Sequence, residues 1–142
     1  MEKTLQDFLT EARERVNHIT PDELMEMMEA GEDFLIIDVR EESEFAHGHI
    51  ASSINVPRGT IEGAADRRCP KRQKELCGAR NRVIVVYCQT GGRSAMATDV
   101  LVQMGFTKAV NLAGGIVNWE AEDFPVVHLA GYESTVPGIE LS

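Results

Sequence analysis

The chain has 142 residues, 43% of them hydrophobic and 26% charged, which suits one globular domain with a sizeable core and gives no reason to divide it. A net charge of -9 argues against general nucleic-acid binding, and no apolar run approaches the ~18 residues of a membrane span. The N-terminus lacks the basic and apolar regions of a secretory signal, and three cysteines are an odd number for a disulfide framework, so a cytoplasmic protein is expected.

Leu5, Phe8, Leu9, Ala12 and Val16 share one face of a helix predicted over 4–16, expected to dock on its own domain rather than on a second copy. Thr20, Pro21 and Glu23 then form a capping box with proline at the first helical position, starting a helix that runs to Gly31. Buried strands are predicted at 34–39, 54–56, 82–87 and 108–111, with helical stretches between them around 41–46, within 58–82 and at 95–104. This alternation predicts a parallel sheet covered on both faces by right-handed crossovers. Ligands then bind beyond the carboxyl ends of the strands, where Cys88 lies and where Arg40 and Arg58 follow two other strands as candidates to face it.

Cys88 is the first residue off the strand Val83 to Tyr87, and the loop that follows contains adjacent glycines and leads into a helix. Such a loop turns successive N–H groups toward one point, and the helix start adds orphan donors and a partial positive charge. The result is an anion cradle holding a thiol, an arrangement that favours the thiolate nucleophile near neutral pH. Arg93 closes the loop as a cation able to attract anions or to tie loop carbonyls.

The segment 58–82 is net +5 while the rest of the chain is -14, so it could draw anionic substrates or acidic partners, or be a solvated face. Cys69 and Cys77 lack a second close pair of Cys or His ligands, which makes zinc a poor reading, and His47 and His49 are expected to stabilise a turn. Asn111 to Trp119 contains a glycine turn into a short helix anchored by the one Trp; Phe124 to Val127 reads as an extended strap, and the residues after it carry no usable period.

Four motifs resemble the rhodanese-like family in its own order: Ile19-Thr20-Pro21-Asp22-Glu23-Leu24; Ile37-Asp38-Val39-Arg40 leading through Glu44 to Ile50 and Asn55-Val56-Pro57; Cys88-Gln89-Thr90-Gly91-Gly92-Arg93-Ser94; and Leu112-Ala113-Gly114-Gly115 to Trp119. The resemblance covers roughly 18–127, leaving an N-terminal amphipathic helix at 1–17 and an extended tail at 128–142. It implies a three-layer α/β domain with a central parallel five-stranded sheet. It also implies a cysteine that carries sulfur as a persulfide, with no metal or organic cofactor. On that reading Cys88 is the nucleophile, and Gln89, Thr90, Gly91, Gly92, Arg93, Ser94 and Arg58 bind the substrate. The donor is a small anion such as thiosulfate; the acceptor is cyanide or a thiol such as glutathione, thioredoxin or a carrier protein. Two alternatives stand beside it: a persulfide carrier acting with protein partners, and a phosphatase or arsenate reductase. The loop from Cys88 to Arg93 spans six residues, as in sulfur-transferring members, whereas related dual-specificity phosphatases have one residue more and hence a wider cradle.

Overall fold

The structure is a computed structural model that describes residues 1–130, so most of the tail expected at 128–142 lies outside the described residues. Its order is α1 (Leu5–Arg15), β1 (Asn17–Ile19), α2 (Pro21–Glu29), β2 (Phe34–Asp38), α3 (Glu42–His47) and β3 (Ile54–Asn55). A 3-10 turn (Arg58–Thr60) follows, then α4 (Ile61–Ala65), α5 (Lys74–Cys77), β4 (Val83–Tyr87), α6 (Gly92–Gln103), β5 (Ala109–Leu112) and α7 (Gly115–Ala121). The five strands form one parallel sheet in the order β1-β5-β4-β2-β3, as the family resemblance implied. β4, which delivers Cys88, is central, and β2 and β5 flank it.

The side-chain alternation of β2 and β4 divides the interior into two layers. Leu35, Ile37, Val39, Ile84, Val86 and Cys88 face α4, α5 and α6, where Ile61, Leu76, Ala97 and Leu101, with Phe106 just past α6, complete the packing. Ile36, Val85 and Tyr87 face the other way, toward Leu24, Ile50, Leu112, Ile116 and Trp119. Cys88 therefore continues the stripe of Ile84 and Val86, and this parity turns its thiol toward α6.

Two differences from the sequence pattern have simple physical causes. β1 was not foreseen as a strand: it is a three-residue edge strand, mostly exposed, and too short to show alternation. α6 begins at Gly92 rather than Ala95, because Gly91 takes a left-handed conformation (φ 99°) at the N-cap and lets the helix start inside the loop. The segment 58–82 contains only short helices. α1 does pack on its own domain, against α6, with Ala12 and Val16 buried while Leu5 and Phe8 stay exposed. Its start carries a capping box between Thr4 and Asp7, and the box foreseen between Thr20 and Glu23 is also formed.

Candidate active site

Three donors converge on the Cys88 Sγ: the Gly91 N–H at 3.2 Å, the Ser94 N–H at 3.4 Å and the Ser94 hydroxyl at 3.3 Å. Ser94 is the third residue of α6, so its amide is one of the orphan donors that a helix start leaves unpaired. Cys88 is 1% exposed, at the bottom of the loop, whereas Gln89 and Thr90 are exposed at its rim.

The loop carbonyls are turned away from the sulfur and held by α7. Ile116 N–H donates to the Cys88 carbonyl (2.9 Å) and Val117 N–H to the Gln89 carbonyl (3.1 Å). This docking requires glycine at 115: its φ is +63°, and a Cβ there would lie 2.5 Å from both the Cys88 and the Gln89 carbonyl oxygens. On the β5 side, Asn111 Nδ2 donates to the Gly91 carbonyl (3.3 Å) and lies 3.3 Å from His18 Nδ1, while His18 Nε2 meets the Arg13 carbonyl at 2.9 Å.

The three arginines considered from the sequence are each engaged with a carboxylate. Arg40 is buried and grips Asp38 through Nε and Nη2 (2.7–3.1 Å), with Nη2 also donating to the Gly48 carbonyl. Burial works against the Arg40 charge, but the hydrogen bonds and charge of Asp38 outweigh it and raise its pKa. Arg40 thus ties the end of β2 together; it is the structural ion pair, and its guanidinium is spent on Asp38. Arg58 pairs with Glu62 (3.1 Å) and borders a groove between α1 and α6 that Phe8 and Met96 also line.

Arg93 reaches outward from the loop to α3, where Nη1 and Nη2 meet the two Glu44 oxygens at 2.9 and 3.2 Å. This fork raises the Arg93 pKa and holds the Glu44 carboxyl below its ordinary value. Glu44, Asn111 and Gly115 are the supports that sequence reasoning did not assign. Gly114-Gly115 showed as a turn, but which loop it would press against is a tertiary fact.

Cys69 and Cys77 lie within the basic segment beside α4: Cys69 Sγ is near Gly63, and the Cys77 thiol donates to the Ala64 carbonyl (3.3 Å). Among the described residues no group of His, Cys, Asp and Glu is arranged to hold a metal ion. His47 and His49 cap carbonyls of α3, those of Ser43 and Phe45. Within the basic segment Arg80 is spent on the carbonyls of Ala65, Cys77 and Met104, and Arg82 pairs with Asp33. Arg67, Arg68, Lys71, Arg72 and Lys74 are exposed. No helix among the described residues is long and apolar enough to cross a membrane.

Comparison with known proteins agrees with this geometry. The family model of the rhodanese-like domain matches residues 20–122. A sulfurtransferase of Allochromatium vinosum is 33% identical over 112 residues, which cover 79% of this chain and 95% of that protein. The probable adenylyltransferase/sulfurtransferase MoeZ of Mycobacterium tuberculosis is 35% identical over 108 residues, 75% of this chain but only 25% of that longer protein. Among solved structures, a Rhodopseudomonas palustris protein of unknown function, described as a possible tyrosine phosphatase, superposes with a TM-score of 0.82 at 25% identity, covering 89% of this chain and 96% of its own. With a family model spanning most of its length and a near full-length relative one third identical, this chain belongs to the rhodanese-like family.

Proposed function

We propose that the protein is a sulfurtransferase that moves sulfane sulfur from thiosulfate or a related anionic donor to a thiophilic acceptor, cyanide or a thiol, through a persulfide on Cys88. The observation that carries this reading is the convergence of the Gly91 and Ser94 amides and the Ser94 hydroxyl on one buried sulfur. Those donors stabilise a thiolate and, after transfer, the negative charge of the persulfide. In the first step the Cys88 thiolate attacks the outer sulfur of thiosulfate. A new S–S bond forms to Sγ, the S–S bond of thiosulfate breaks, and its electron pair leaves with sulfite. The acceptor then attacks the outer sulfur of the persulfide and returns Cys88 as thiolate. An ionised nucleophile and a stable leaving anion demand no general acid.

A phosphatase reading has one observation in its favour, the name carried by the R. palustris structure. Against it stand the six-residue loop, the engagement of Arg93 with Glu44, and the burial of the thiol beneath the loop. A persulfide carrier would load sulfur but pass it only to a protein acceptor such as thioredoxin or a sulfur carrier. The test is the mass of the Cys88 peptide before and after thiosulfate, and again after cyanide. Sulfur transfer requires one added sulfur atom that cyanide removes and that Cys88→Ser never acquires. An unmodified peptide, together with hydrolysis of an aryl phosphate, would replace this reading by the phosphatase. Loading that neither cyanide nor small thiols discharge would replace it by the carrier.

A further inference from the structure

The proposed first step brings a thiolate and a dianion together, so the site needs a cation that is not already neutralised. Arg40, Arg58 and Arg93 are committed to Asp38, Glu62 and Glu44. The loop itself offers Cys88 only backbone amides and a hydroxyl. Another guanidinium does lie beside the loop, and it comes from outside residues 20–122, where the family model matches.

α1 crosses the start of α6 so that Leu9 packs over Gly92; a Cβ at Gly92 would lie 3.1 Å from Leu9 Cδ2 and 3.8 Å from Arg13 Nη2. Gly92 sits between the two residues whose amides bind Sγ, so the Arg13 guanidinium stands at the edge of the cradle. No carboxylate among the described residues lies within ion-pair distance of it, and its side chain is exposed. The helix that carries it is fixed in place. Arg15, two residues on, pairs with Asp99 of α6 (3.1 Å), and the Arg13 carbonyl is held by His18 Nε2 (2.9 Å). The sheet order places Glu44 and Arg93 on the β2 side of the cradle and Asn111 and His18 on the β5 side. Arg13 approaches from a third direction, over α6.

Resting on the sulfur-transfer reading above, we propose that Arg13 is the substrate-binding cation of the Cys88 site, engaging the oxyanion end of the donor while Cys88 attacks its outer sulfur. A guanidinium fork suits a sulfonate-like group with several oxygens, and its charge opposes the repulsion between thiolate and donor. The appended helix thus supplies a specificity element for anionic donors over neutral ones.

The test compares alkylation of Cys88 by iodoacetate, an anion, and by iodoacetamide, its neutral analogue. Rates are read on the Cys88 peptide so that Cys69 and Cys77 do not contribute, and loading from thiosulfate is followed in parallel. In the full chain Arg13→Gln should slow iodoacetate about 10-fold at low salt, with a similar loss in loading rate, and leave iodoacetamide within about twofold. Arg13→Lys should restore much of the anionic rate. Lys3→Ala, which removes a like charge just before the same helix without touching its anchor on α6, should leave the ratio of the two alkylation rates unchanged. Thermal melts of each variant separate these effects from loss of fold. A ratio of iodoacetate to iodoacetamide rates that is the same in Arg13→Gln as in the parent overturns the proposal, as does a Lys3→Ala change as large as that of Arg13→Gln. If the ratio follows Arg13 but the parent never loads sulfur, Arg13 stands as an anion-binding residue and the sulfur-transfer reading falls.

Discussion

Asp38 and Arg40 show how a residue pair near a strand end can serve structure while resembling a site. Both are buried, and the Asp38 carboxylate accepts the Arg40 backbone N–H (2.9 Å) as well as its guanidinium, while Asn55 Nδ2 donates to the carbonyls of residues 38 and 40. Removing one partner of such a pair leaves an uncompensated buried charge, which typically costs about 3–5 kcal/mol. Asp38→Ala should therefore lower the urea midpoint severely, and a double variant replacing both residues by apolar ones should recover part of the loss. From sequence alone Arg40 and Arg58 looked equivalent, since each follows a strand. What separates them is a carboxylate two residues before Arg40 on the same strand end, which the fold buries, against a surface partner for Arg58.

Among the elements, α7 is the support on which the cradle depends most. Its first turn binds the carbonyls of Cys88 and Gln89 from behind, so the amide of Gly91 is free to point at the sulfur. Gly115→Ala would place a methyl carbon 2.5 Å from two carbonyl oxygens at a positive φ, so the loop and α7 must separate. The expected outcome is a loss of about 1–3 kcal/mol in stability and a much larger loss in sulfur loading, measured by denaturation and by the mass of the Cys88 peptide. Four of the strands, the Cys88 loop and the Thr20 cap were legible in the sequence, because periodicity, β-branched runs and capping chemistry are local signals. β1 was not legible, being too short and too exposed. The partners of the loop were not legible either: Asn111, Glu44 and Arg13 lie 20 or more positions from the residues they meet, and their spacing carries no pattern.

For the molecule as a whole, the Glu44–Arg93 pair joins α3 to the Cys88 loop across 49 positions of sequence. The Arg93 hydrogen bonds lower the Glu44 pKa beneath the unfolded value of about 4.3. A depressed carboxylate stabilises the fold above its unfolded pKa, and that contribution is lost as pH falls through the lower folded value. Parent and Glu44→Gln should thus differ in urea midpoint near pH 6, and the gap should narrow as pH falls below about 4.3; a gap that does not narrow on acidification would assign Glu44 a role other than this pair. The chain is net negative while its segment 58–82 is positive. The chemistry at Cys88 is nevertheless the claim on which everything else rests. Its most direct measurement is the sulfite released when the protein meets thiosulfate with no acceptor present. The account predicts a rapid burst approaching one sulfite per Cys88, absent in Cys88→Ser, followed by turnover only when an acceptor is added. Sulfite release that needs the acceptor from the first turnover, or an equal burst from Cys88→Ser, would contradict it.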